Sequence, residues 1–377
     1  MRDDPVYLDH NATTPVHPAV RDAMLPWLGA QWGNASSGHA YGRRAAGALA
    51  EARGQVAALV GATADEVVFT SGGTEADNLA IFGTEIAPAR IVMSAIEHPA
   101  VEAAVRHRGG QTTLEIATLA IDGEGRVDLE QAARTLDAPT GLLTVMLAHN
   151  ETGVIQPLAE LAALARRTSP SVVVHCDGAQ AVGKIDVDMR ALGIDLLTIV
   201  GHKFYAPAGI GALVVRRGVT LRPSAHGGGQ EGGLRSGTEP VALAVALGAA
   251  CALAASDRAT ERARQIDLRE HLWSLLVAAI PGIFRTGAGV PTLPNTLHVC
   301  VPFASGASIL AAAPDIAAST GSACHADTDR APGVLGAMGV PAAQARGALR
   351  LTLGRATTHA DVERAAHALA AAASRSQ

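Results

Sequence analysis

Through the first two thirds of the chain, short apolar runs alternate with stretches patterned as helices. "DEVVFTSGG" (65–73) precedes "TEADNLAIFG", and "ARIVMSAIEH" (89–98) precedes "PAVEAAVRH". "LLTVMLAHNETG" (142–153) leads into "PLAELAALARR"; then come "SVVVHCDGAQ" (171–180), "DLLTIVGHKFY" (195–205) and "GIGALVVRRG" (209–218). Near-continuous apolar strands separated by helices predict an α/β fold with a mainly parallel sheet covered on both faces. Polar residues collect where these strands end, which is where such a sheet places its ligands.

Further on, "VALAVALGAACALAAS" (241–256) reads as a buried helix, short of the ~20 strongly apolar residues a membrane span needs. "SDRATERARQIDLREHLWSLL" (256–276) follows as an amphipathic, charged helix. That change of pattern predicts a boundary near 257. A large domain would cover 15–256, and a smaller one 257–377 with residues 1–14 packed against it. The 377 residues suffice for two domains.

Aromatics make up only 3% of the chain against 48% hydrophobic residues, so the core must be built from Ala, Val and Leu. A net charge of -5, with no basic cluster longer than "RR", speaks against nucleic acid as a ligand. The start, "MRDDPVYLDH", has no apolar segment of the kind a signal peptide needs. Cys176, Cys251, Cys300 and Cys324 are widely spaced and form no CxxC. That pattern predicts neither a disulfide framework nor a metal site, and suits a reducing, cytoplasmic setting away from membranes.

Three strand ends carry candidate chemistry. In "TSGGTEADN" (70–78), glycines and Thr74 at a helix start form an anion site, or simply a capped turn. The spacing is that of neither GxGxxG nor a Walker loop. In "HCDGAQ" (175–180), Asp177 could pair with a protonated pyridine nitrogen, with Gln180 near a ring oxygen. An ordinary turn aspartate is the plain alternative. A metal site from His175, Cys176 and Asp177 is disfavoured, because adjacent strand residues point to opposite faces. In "VGHKFYAPAGIGAL" (200–213), Lys203 follows an apolar strand and suits a desolvated, Schiff-base-forming amine. A fourth motif, "STGSACHAD" (319–327), places Cys324 among small residues, as a travelling thiol requires.

These segments resemble the cysteine desulfurases, within the class V aminotransferase group of fold-type I pyridoxal phosphate (PLP) enzymes. The resemblance runs nearly end to end, through "YLDHNATTPVHPAV", "GNASSGHAYGRRA", "NETGVIQPL", "GGGQEGGLRSGTEP" and "LRLTLGRATTHADV". It implies that Lys203 binds PLP covalently, that Asp177 partners the ring nitrogen and that Gln180 contacts the ring hydroxyl. His98 would stack on the ring as an acid/base, and Asn150 would lie near ring hydroxyl and substrate carboxylate. Gly73, Thr74 and His202 would hold the phosphate, joined by Thr238 across the interface of a homodimer. Arg350 would bind the carboxylate of L-cysteine through its planar fork. Cys324 would take the sulfur as a persulfide and pass it to an acceptor protein, such as an iron–sulfur scaffold. Val200 stands where the family often has a serine, so one phosphate hydrogen bond is expected to be missing or replaced by water. "TIVGHKFY", "GGGQE" and "ACHAD" also look like the selenocysteine lyases. Release of selenide from L-selenocysteine is therefore the alternative, and a PLP aminotransferase, which needs no such cysteine, comes after it.

Overall fold

The computed structural model describes residues 4–321 and 333–375 and opens with a short strand, β1 (Val6–Tyr7). The main sheet follows: β2 (Val67–Thr70), β3 (Arg90–Ser94), β4 (Glu115–Leu119), β5 (Leu142–Thr144), β6 (Val173–Asp177), β7 (Leu196–Val200) and β8 (Gly211–Val215). Its spatial order is β2-β8-β7-β6-β5-β3-β4, parallel from β7 through to β4. β3, β5 and β7 are buried along their whole length, as continuous apolar runs demand.

β8 runs against both of its neighbours. Its connection from β7 is too short for the crossover of a dozen or more residues that parallel pairing requires. β4 lies at the sheet edge and is partly exposed; its mixed sequence Glu-Ile-Ala-Thr-Leu carries no apolar run to announce it. The predicted helices appear as Gly73–Gly83, Pro99–Gly110 and Leu158–Thr168. Helix Ala40–Leu59 is an addition that the apolar pattern did not reveal. Its buried stripe of Ala45, Leu49, Ala52 and Val56 is set mostly by alanine, a weak signal in so Ala-rich a chain.

The two helices expected on either side of 257 are one helix, Val241–Ala279, of 39 residues. It alone is long and apolar enough to cross a bilayer among the described residues, yet its first part packs in the main core through Ala244, Leu247, Ala250 and Ala254. Its last part packs in a second core through Leu268, Leu272 and Leu276. The change of composition near 257 therefore marks a change of packing partner, with no break in the helix.

The second core is closed by a small antiparallel sheet of β9 (Phe284–Arg285), β10 (Thr296–Cys300) and, after β11 (Ile316–Ala317), β12 (Ala348–Thr352). β1 pairs in parallel with β11, and Val6 and Leu8 enter this core. "LRLTLGR" reads as a strand with one polar face, but β12 is buried throughout, Arg350 included. Removing the side chain of Leu272, which is fully enclosed where the long helix meets the second core, leaves a cavity. Leu272→Ala is expected to cost about 2–5 kcal/mol, read as a lowered denaturant midpoint in equilibrium unfolding.

Candidate active site

Two neighbouring strands bring the central residues together. β6 ends in Asp177, whose Oδ1 accepts from the Ala179 amide at 2.8 Å. β7 ends in Val200 and passes through the tight turn Gly201–Lys203. The Lys203 Nζ donates to the backbone carbonyls of Asn11 (3.0 Å) and Ala12 (2.8 Å). On the far side of β8, β2 leads to helix Gly73–Gly83, whose first N–H groups have no intrahelical acceptor. Gly73 lies tight against the neighbouring strand end: a Cβ there would stand 2.6 Å from the Val200 Cγ2.

Around these ends opens a cleft of about 350 Å³, lined by Gly73, Thr74, His98, Asn150, Asp177, Gln180, His202, Lys203 and Arg350. Every site residue expected from the sequence is thus in one place, apart from two. Thr238 is exposed and does not line the cleft. Cys324 lies outside the described residues. Val200 does line the cleft, its methyl against Gly73 where a serine would have offered a hydroxyl.

Four further residues belong to the site. Asn11 lines the cleft, donating from Nδ2 to the Asn150 carbonyl (3.2 Å) and to Thr296 Oγ1 (2.9 Å). Asp9 grips Arg350, its Oδ1 2.6 Å from Nη2, while Arg350 Nη1 donates to the Asn150 carbonyl at 3.3 Å. Lys184 stands behind Gln180, 2.7 Å from its Oε1. Asp77 lines the cleft from the helix that starts at Gly73. Asp9 and Asn11 sit in the quoted "YLDHNATTP", but no local pattern shows which distant side chains that segment meets.

The electrostatics follow from burial. Desolvation, aided by Asp77, raises the Asp177 carboxyl well above the usual range. Desolvation and then Arg350 lower the Lys203 amine, against the pull of Asp177 and Asp9. Desolvation likewise lowers His98 and His202, so both imidazoles are neutral near pH 7. The His98 Nδ1 accepts from the Ala100 amide at 3.2 Å, capping helix Pro99–Gly110 and putting the ring proton on Nε2. Glu97 is pushed up to about 8 by burial, although Ser94 and the Met146 amide both donate to it.

A model of the class-V aminotransferases matches residues 6–365. A cysteine desulfurase of Gluconacetobacter diazotrophicus is 45% identical over 367 residues, covering 95% of this chain and 91% of that protein. Among solved structures, a NifS-like protein superposes with a TM-score of 0.90 at 31% identity, over 97% of this chain and 98% of the other. SspA in complex with cysteine gives a TM-score of 0.79 at 31% identity, over 92% and 98%. The fold is that of a fold-type I PLP enzyme. The chain belongs to the class-V aminotransferase family, in its cysteine desulfurase branch.

The cleft fits PLP on its own geometry. Asp77 Oδ1 is buried and accepts no hydrogen bond, with His175 Nε2 3.5 Å away. With Asp177 it sets two carboxyl groups in the cleft wall, acceptors suited to a protonated ring nitrogen. The helix start at Gly73 and Thr74 suits a phosphate. The desolvated Lys203 amine, opposite both, suits a carbonyl carbon.

Glu97 holds its proton to about 8 in the fold, against an ordinary value of 4.5. Between those values the native state binds more protons than the unfolded chain, so stability falls as pH rises. Glu97→Gln is expected to shrink the loss of unfolding free energy between pH 5 and pH 8, measured by urea titration at both. An unchanged loss would contradict it.

Proposed function

We propose that this enzyme converts L-cysteine to L-alanine and delivers the sulfur, as a persulfide on Cys324, to an acceptor protein. The observation that carries the Cys324 assignment is the pairing of Ser319 with Arg350. Ser319 N donates to the Arg350 carbonyl (3.4 Å), and Arg350 N to the Ser319 carbonyl (2.6 Å). Cys324 follows five residues later, and five residues reach at most about 18 Å. That short span supports assigning the Cys324 thiol to a substrate held at Arg350.

PLP, when bound, supplies a ring that draws electrons from the substrate carbon bearing the amine. In this reading Asp177 and Asp77 keep the ring nitrogen protonated, and Gly73, Thr74 and His202 hold the phosphate. Gln180 and Asn150 face the ring hydroxyl. Lys203 would hold PLP covalently, and its Nζ would carry the substrate's α-proton. His98 donates from Nε2. Arg350, anchored by Asp9, offers its remaining N–H groups to the substrate carboxylate; its Nε is buried and has no hydrogen-bond partner. The Cys324 thiolate attacks the substrate sulfur, and the carbon–sulfur bond breaks with its electron pair left on carbon. Protonation of that carbon gives alanine, and the sulfur remains as the persulfide. An acceptor thiol then takes the outer sulfur. Cys176, Cys251 and Cys300 take no part: all three are buried and free, and burial raises each thiol. A chain with free, buried thiols suits the cytoplasm.

Purified PLP-loaded protein should release alanine and sulfide from L-cysteine in the presence of a thiol reductant. Cys324→Ala should abolish sulfide release and keep the PLP absorbance. Turnover of L-selenocysteine alone would instead make it a selenocysteine lyase, and keto-acid exchange without sulfide an aminotransferase.

Thr238, exposed on its own chain, is assigned to the phosphate bound by a second copy, which makes the protein a homodimer. Thr238→Ala is expected to weaken PLP binding about tenfold, the worth of one charge-assisted hydrogen bond. Sedimentation should show a dimer for both chains. A monomeric wild type would overturn the assignment.

A further inference from the structure

We propose that Lys184 is a positioning residue: it fixes the Gln180 amide so that an N–H, and not the carbonyl, faces the ring hydroxyl of PLP. The proposal rests on the placement of Gln180 given above. Lys184 does not line the cleft; it stands behind it. Its Nζ lies 2.7 Å from Gln180 Oε1 and 2.9 Å from Asn11 Oδ1, two groups that can only accept.

The other end of the Gln180 amide is fixed as well. Its Nε2 donates to the Asn11 backbone carbonyl at 3.0 Å, the same oxygen that accepts from Lys203 at 3.0 Å. A flipped amide would set Oε1 against that carbonyl and its NH2 against the Lys184 amine. Both contacts then oppose the flip. A carboxamide carries two N–H donors, so one is spent on Asn11 and the other is left for the cleft, which Gln180 lines.

Asn11 cannot turn to relieve the arrangement. Its Oδ1 also accepts from Asn295 Nδ2 (3.1 Å), and its Nδ2 is committed to Asn150 and Thr296. The backbone delivers Lys184 to this spot through Gly183, at φ 82°, where a Cβ would stand 2.8 Å from the Phe204 Cβ. Burial, with Lys203 and Arg350 nearby, pushes the Lys184 amine well below the usual lysine range.

The test is a double-mutant cycle on the PLP-loaded protein, read by the absorption band of Lys203-bound PLP, the pH midpoint of that band and the PLP dissociation constant. Lys184→Met keeps the length and removes the donor. It is expected to displace the band and weaken PLP binding about three- to tenfold, the worth of one hydrogen bond. In a Gln180→Ala background the same change should move neither. Lys184→Gln, which restores an N–H donor, should bring the band back toward its wild-type position. Where the methionine chain fails to fold, by circular dichroism, Lys184→Ala serves in the same cycle. Equal shifts in both backgrounds, or none from Lys184→Met alone while Gln180→Ala does shift the band, would overturn the role of Lys184 and leave the proposed function standing. A band unmoved by Gln180→Ala would overturn the placement of Gln180 and the role of Lys184 with it.

Discussion

The site depends on one pairing, the parallel alignment of β6 with β7, which sets Asp177 opposite Thr198. That register brings a carboxylate from one strand end beside the turn that carries Lys203 from the next. Both groups sit at the margin of an apolar sheet, where desolvation acts on them most strongly. Lys203 becomes a better nucleophile and Asp177 a stronger proton holder than either is in water. A slip of one residue would turn these side chains to the other face and dissolve the site.

The N-terminal segment completes what the sheet begins. Asn11 spends its carbonyl on Lys203 and Gln180, its Oδ1 on Lys184 and Asn295, and its amide on Asn150 and Thr296. Two residues earlier, Asp9 fixes Arg350 from the small sheet. One short stretch therefore ties the cleft of the main sheet to Arg350 on the small sheet. The long helix Val241–Ala279 makes the matching apolar connection, contributing to both cores. Polar and apolar links converge on the same relative placement of β6, β7 and β12.

Lys203, Asp177 and the Gly73–Thr74 helix start are legible in the chain because each is local: an apolar run, then a polar residue where the strand must stop. Their meeting in one cleft was expected from the same rule. Asp77 was not legible, since within "TEADN" it looks like an ordinary acid near a helix start; only its buried, unpartnered oxygen marks it out. Lys184 carries no local signal of a role, and only the fold turns it toward Gln180. Arg350 is singled out by the family resemblance and not by the alternating pattern of "LRLTLGR", and its burial between β10 and the Ser319 segment is a tertiary outcome.

What the sequence determined by itself is therefore the α/β alternation, the strand ends that hold chemistry and the family resemblance carried by their motifs. Each follows from residues within a few positions of one another. Tertiary structure alone decided the antiparallel turn of β8, the single helix through 257, and the convergence of Asp9, Asn11, Asp77 and Lys184 on the cleft. Those outcomes depend on hydrogen bonds and burial between residues far apart in the chain, such as the pair Asp9 and Arg350, and no local pattern encodes such a meeting.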